Sequence, residues 1–163
     1  MDSFGEVMKS VIIDDEAKAR SALRLSLQNF CPDVEIIGEA DGVDSGWKII
    51  ESKQPQLVFL DIHISGGTGF ELLDKFEEPK FKIIFITAYD EFAIKAFRYN
   101  ALDYLLKPID PDDLIQAVKR ISQQNFSTIL LEQINNLLEA SQKKDFDKIV
   151  LTTSDGTLSL IHI

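Results

Sequence analysis

Five short apolar runs punctuate the first part of the chain: Val11-Ile12-Ile13, Val34-Glu35-Ile36-Ile37, Leu57-Val58-Phe59-Leu60, Ile83-Ile84-Phe85-Ile86 and Tyr104-Leu105-Leu106. Runs this short and this continuously apolar predict strands buried on both faces. The segments between them have helical spacing. Ala19, Ala22, Leu23, Ser26, Leu27 and Phe30 share one face of the first, and Val43, Trp47 and Ile50 share one face of the second. Trp47 and the phenylalanines at helical spacing are therefore expected in the core. Strands alternating with helices predict right-handed βαβ units. The pattern gives an α/β fold, a doubly wound parallel sheet of five strands and five helices. The last helix is expected to start near Pro111, a favoured first-turn residue.

The pattern changes after Gln124. Leu130, Leu131, Ile134, Leu137 and Leu138 form an amphipathic stripe within residues 127–142, the expected linker helix. Then Ile149-Val150-Leu151 and Leu158-Ser159-Leu160-Ile161 flank Ser154-Asp155-Gly156, which predicts a hairpin with an Asp-Gly turn. Two strands alone are marginally stable, so this hairpin is expected to open a domain whose remainder is missing. The stripe needs a cover, because an isolated helix of this length is marginal in water. A symmetric homodimer is favoured over packing back within one chain.

Composition narrows the function classes. At 163 residues and 45% hydrophobic, the chain can bury a core and is neither disordered nor low-complexity. No apolar run is long enough for a membrane helix, and no secretion signal is visible. The single cysteine, Cys31, lies before Pro32 in an expected loop and has no internal disulfide partner, which suits a reducing cytoplasm. The net charge is −10. Such an acidic chain has no basic stripe for nucleic acid.

The chemistry lies at the strand ends. The first strand ends in Asp14-Asp15, the third in Asp61, the fourth in Thr87 and the fifth in Lys107-Pro108. In an open parallel sheet these carboxyl ends share one edge, where ligands bind. Three crowded carboxylates cannot all ionise cheaply without a cation. Oxygen donors without a Cys/His cluster indicate a hard ion, and Mg²⁺ suits carboxylates plus water and phosphate oxygens. Asp61 could then attack a phosphoryl group whose oxygens Thr87 and Lys107 bind. The set suits phosphoryl transfer to a carboxylate.

The stretches VIIDDE (11–16), LVFLDIHISGGTGFELL (57–73), FITAYDEFAIKAF (85–97) and DYLLKPI (103–109) resemble a response-regulator receiver domain of two-component signalling. The resemblance implies the flavodoxin-like strand order 2-1-3-4-5 and phosphorylation of Asp61 by a sensor histidine kinase. It implies Mg²⁺ held by Asp15, Asp61 and the His63 backbone carbonyl with Asp14 assisting. Thr87 and Tyr104 form the switch pair, with Tyr104 turning inward on phosphorylation, and Lys107 contacts the phosphoryl group. The Lys107–Pro108 peptide is expected to be cis. Ile64-Ser65 departs from the common methionine-proline pair, which loosens the loop after Asp61 and removes no ligand. The glycines of Gly66-Gly67-Thr68-Gly69 fit neither a P-loop nor a dinucleotide spacing and are expected to serve a turn.

DYLLKPI followed by a linker helix and KIVLTTSDGTLSLIHI (148–163) resembles the receiver subgroup joined to a LytTR-type DNA-binding domain. The implied layout is a leader over 1–8, a receiver over 9–124, a linker helix over 125–147 and the start of the DNA-binding domain over 148–163. DNA would be contacted only through the missing part of that domain. Two other readings use similar chemistry. A haloacid dehalogenase-type phosphatase would place an acid two residues after the nucleophile, where this chain has His63. A flavodoxin-like cofactor binder would need a phosphate-cradling loop after the first strand.

Overall fold

In the computed structural model, residues 7–121, 134–139, 148–152 and 158–162 are described. Five parallel strands form one sheet: β1 (Met8–Ile13), β2 (Val34–Ala40), β3 (Leu57–Leu60), β4 (Lys82–Thr87) and β5 (Asp103–Leu106). Their order is β2-β1-β3-β4-β5. This is the doubly wound 2-1-3-4-5 arrangement expected. The first strand begins at Met8, the last residue of the expected leader.

Alternation along the strands divides the core in two. Val11, Ile13, Val58, Leu60, Ile83, Phe85 and Tyr104 face one side, against α2 (Val43–Lys53), α3 (Gly69–Leu73) and α4 (Ala93–Arg98). Ile12, Leu57, Phe59, Ile84, Ile86 and Leu105 face the other, against α1 (Ala17–Phe30) and α5 (Pro111–Ile121). Each fully buried aliphatic or aromatic side chain contributes roughly 1.5–3 kcal/mol relative to exposure, so both faces of the sheet are strongly fixed. α5 starts at Pro111 as predicted. The Asp110 carboxylate caps it by accepting from the Asp112 N–H at 2.8 Å.

Two helix faces differ from expectation. On α1, Leu23 and Leu27 are buried, but Ala22 and Phe30 are exposed, Phe30 by 46%. The buried stripe runs Leu23, Leu27, Cys31, at intervals of four. Cys31 sits at the helix end, where its N–H bonds the Leu27 carbonyl at 2.8 Å, and takes the inward place. On α2 the inward residues are Val43, Gly46 and Ile50, while Trp47 is 38% exposed. Helix and sheet approach too closely for a side chain at Gly46. A Cβ there would lie 2.9 Å from Leu72 Cδ2 and 3.1 Å from Ile13 Cδ1. Trp47, one residue on, is rotated outward. Phe97 is likewise 37% exposed on α4.

Beyond the sheet, residues 134–139 are helical, within the expected linker helix. Leu138 is 5% exposed and Leu137 packs against the α2–α3–α4 side of the core. At these two positions the same chain supplies cover. Leu130 and Leu131 lie outside the described residues. The predicted hairpin is formed by β6 (Lys148–Thr152) and β7 (Leu158–His162), antiparallel with Lys148 opposite His162. Its Asp-Gly turn lies outside the described residues.

Candidate functional site

Parallel pairing sets the ends of β1, β3, β4 and β5 side by side. The Asp61 N–H bonds the Ile13 carbonyl at 3.0 Å, and the Lys107 N–H bonds the Thr87 carbonyl at 2.9 Å. These bonds carry the ladder one residue past the strands, so the side chains just beyond emerge at one edge. The Lys107–Pro108 peptide is cis, as expected.

Lys107 joins the site. Its Nζ donates to Asp14 Oδ2 at 2.7 Å and to Asp61 Oδ2 at 2.9 Å. Glu16 Oε1 lies 3.9 Å away. The other oxygens of the two aspartates bond locally: Asp14 Oδ1 accepts from the Glu16 N–H at 2.9 Å, and Asp61 Oδ1 from the Ile62 N–H at 2.6 Å. Asp14 and Asp61 are 5% and 7% exposed. Burial raises the Asp61 carboxyl above its ordinary pKa; Lys107 and the Thr87 hydroxyl pull it back in part, and the charge of Asp14 adds to the rise. Burial also disfavours the Lys107 ammonium, but its bonds and proximity to Asp14 and Asp61 outweigh this and hold its pKa above the usual value.

The carboxylate set is broader than expected. Asp14, Asp15 and Glu16 offer ligand oxygens that all lie within 4.8 Å of one another, with Asp15 and Glu16 exposed. Asp61 is outside that group and is joined to Asp14 through Lys107. Hard oxygen donors at such spacing fit a hard divalent cation and no soft metal. Glu16 was missed by the strand-end argument since it lies a residue beyond the acid pair.

Thr87 is fully buried beside Asp61, and its Oγ1 accepts from the Tyr89 N–H at 3.4 Å. Tyr104, expected to turn inward on phosphorylation, is already inward here. It is 6% exposed, tilts against Phe85, and donates its hydroxyl hydrogen bond to the Tyr89 carbonyl. Burial drives its pKa well above the phenol range. Thr87 and Tyr104 thus hold opposite ends of Tyr89. The exposed His63 ring meets Tyr89 edge-on at 4.5 Å between centroids and Phe92 at 5.6 Å. The loop after Asp61 and the loop after Thr87 are joined there, a contact no motif announces.

Gly66 and Gly67 turn a two-residue antiparallel ladder, His63–Ile64 against Gly67–Thr68, into α3, whose N-cap is Thr68. At Gly69 a Cβ would lie 2.5 Å from the Asp61 carbonyl oxygen. The glycines serve the turn, as expected.

A further pair lies below this edge. The Asp103 carboxylate, with no exposed side-chain surface, pairs with Arg120 of α5 and accepts from the Tyr104 N–H at 2.8 Å. Burial raises its pKa against the pull of Arg120.

Comparison with known proteins identifies the family. The family model "Response regulator receiver domain" matches residues 11–119. The sensory transduction protein LytT of Bacillus anthracis is 41% identical over 130 residues, covering 78% of this chain and 52% of that protein. The transcriptional regulatory protein BtsR of Shigella flexneri is 40% identical over 119 residues, covering 72% and 49%. The chain spans about half the length of these curated relatives. Among solved structures, the response regulatory domain of mrkE from Klebsiella pneumoniae matches with a TM-score of 0.64 and 29% identity, covering 77% of this chain and all of that one. A LuxR-family DNA-binding response regulator from Staphylococcus aureus matches with a TM-score of 0.65 and 25% identity, covering 72% and 100%. The phosphatase and flavodoxin-like readings give way to this agreement: the chain belongs to the response regulator receiver domain family of two-component signalling.

Proposed function

We propose that Asp61 is the phosphoacceptor and that a sensor histidine kinase is the donor. An Asp61 carboxylate oxygen forms the new bond to phosphorus while the bond to the donor's imidazole nitrogen breaks, leaving an acyl phosphate on Asp61 and a free imidazole. The observation that carries this reading is the pair of bonds from Lys107 to Asp14 and Asp61. A cation already lies where a phosphoryl dianion must be neutralised, and the Thr87 hydroxyl beside it can donate to a phosphoryl oxygen. Asp14, Asp15, Asp61 and the His63 carbonyl would hold Mg²⁺, with Glu16 at the rim; when bound, the ion supplies charge neutralisation for the incoming phosphoryl group. The chain catalyses no turnover beyond its own phosphorylation and dephosphorylation.

The switch pair is Thr87 and Tyr104, linked through Tyr89. The output surface is α4, β5 and α5, where Ile94, Phe97 and Leu106 are 42%, 37% and 40% exposed; the homodimer is proposed for the stripe within residues 127–142. The receiver over 9–124 and linker over 125–147 lead to a LytTR-type DNA-binding domain opening at 148–163. DNA contact is assigned to that domain. The assembled protein would be a cytoplasmic transcription regulator. Among the described residues no helix is long and apolar enough to cross a membrane.

Intact mass after incubation with acetyl phosphate and Mg²⁺ tests the assignment. A single adduct of about 80 Da, the mass a phosphoryl group adds on covalent transfer, is expected in wild type and absent from Asp61→Asn or in excess chelator. An undiminished adduct in Asp61→Asn overturns it.

A further inference from the structure

We propose that Arg20 is a positioning residue, holding the Asp14–Asp15 peptide in the orientation that the cation site needs; this rests on the reading of that site given above. Arg20 lies one turn into α1, and its Nη1 donates to the Asp14 backbone carbonyl at 2.6 Å. Its Nε donates to Glu39 Oε1 on β2 at 3.0 Å. The guanidinium therefore spans from the sheet's edge strand to the first peptide beyond β1. Its side chain is 20% exposed and that of Glu39 25%, so solvent only partly screens the pair.

The target of the contact gives it meaning. The Asp14 carbonyl belongs to the peptide that joins the two acid residues, so the plane of that peptide sets the direction in which Asp15 leaves relative to Asp14. The same residue is held on its other side by the Asp14 N–H, which bonds the Ala40 carbonyl at 3.1 Å. The carboxylate itself is tied to the Glu16 N–H and Lys107. Arg20 is the contact on the remaining side. A planar fork serves two acceptors at fixed relative positions, which a single ammonium cannot do equally well.

Arg24 supplies an internal control. One turn further along α1, its Nε donates to Glu39 Oε2 at 2.6 Å and its Nη2 also pairs with that oxygen. It shares Glu39 with Arg20, and the carbonyl contact belongs to Arg20. A purely structural role in tying α1 to β2 would belong to both arginines. A positioning role belongs to Arg20 alone.

The test measures Mg²⁺ affinity by titration calorimetry on unphosphorylated protein, together with the melting temperature in chelator. Partners that orient metal ligands typically change affinity 10–100-fold when removed. Arg20→Ala is expected to weaken Mg²⁺ binding by about tenfold, with Arg20→Lys intermediate and Arg24→Ala close to wild type at a similar loss in melting temperature. If Arg20→Ala melts below the assay temperature, Arg20→Lys against Arg24→Ala decides the question. Equal Mg²⁺ affinities in the Arg20 and Arg24 variants overturn the proposal. An Asp61 adduct in wild type would then leave the phosphoacceptor reading standing; a wild type with neither adduct nor Mg²⁺ binding removes both.

Discussion

At the scale of single residues, the site is a contest between burial and pairing. Asp61 is nearly buried and its carboxyl pKa is raised, so ionising it costs the folded state more than the unfolded one. A raised folded pKa gives a contribution that favours folding below the unfolded carboxyl pKa and is lost as pH rises through the folded value. Asp61→Asn should therefore melt a few degrees above wild type at neutral pH in chelator, with the difference closing as pH falls toward 3–4, the ordinary aspartate range. An unchanged or lower melting temperature at pH 7 speaks against this electrostatic picture. Lys107→Ala should act in the opposite sense. Removing one partner from a buried ion pair costs about 3–5 kcal/mol, and the 21% exposure of the Lys107 side chain places the loss at or below the low end of that range. Because the loss comes from two aspartates left facing each other, Asp61→Asn in the Lys107→Ala background should recover more stability than in wild type. Denaturant melts of the four proteins measure that coupling.

The residues a reader could name from the sequence were those that strand ends bring together, namely Asp14, Asp61, Thr87 and Lys107. Parallel pairing leaves little choice about where such residues point. Glu16, Arg20 and Glu39 were not nameable. Their roles depend on how far α1 tilts over β1 and β2, which periodicity does not encode. His63 was read through its backbone, and nothing in its spacing announced that its ring meets Tyr89.

At the scale of elements, the apolar runs located all five central strands, and Pro111 the start of the last helix. Helix faces were read less well, for a physical reason. Periodicity gives the direction of a face but not the gap to the sheet. At Gly46 that gap closes, and Trp47 is rotated out; at the end of α1, Cys31 takes the inward place in the stripe that Phe30 was expected to fill. Leu27 lies at the centre of that stripe and is fully buried. Leu27→Ala should destabilise the domain by about 2–5 kcal/mol, whereas Phe30→Ala should cost well under half of that. Chemical denaturation distinguishes the two, and equal losses would restore the original face. The linker allows a comparable check. Leu138→Asp should remove hydrogen-exchange protection from residues 134–139 and leave β1 and β3 protected, since the buried Leu138 side chain is what seats that turn. Protection retained in 134–139 would mean that something else holds it.

At the scale of the whole molecule, the proposed switch would have to pass from the edge of the sheet to its α4–β5–α5 surface. A ligand shifts such an equilibrium only through contacts that differ between two states. The chain of Thr87, Tyr89 and Tyr104 is the connection available, with the Tyr89 N–H on Thr87 and the Tyr89 carbonyl on Tyr104. Beryllofluoride with Mg²⁺ should therefore change hydrogen exchange across residues 87–110 and leave the buried strand β3 unchanged. No change across 87–110 would disconnect the site from this surface. This 163-residue chain, net charge −10, should not retard a promoter fragment selectively, since its hairpin carries no basic stripe. Sequence-selective retardation would contradict that.

The reach of Lys107 has one more consequence. Its partner Asp14 lies 93 residues earlier in the chain, and Asp61 46 residues earlier. Contacts this distant form only after the intervening strands have docked. During synthesis, both aspartates exist long before the lysine that balances them, and a chain halted short of β5 carries the acids without their counter-charge. On the proposed reading, competence to accept a phosphoryl group would arrive at the end of assembly and not by stages. The same ammonium that balances the acids is thus the last piece of the cluster to be made, and its bonds to Asp14 and Asp61 form only once β5 has joined the sheet.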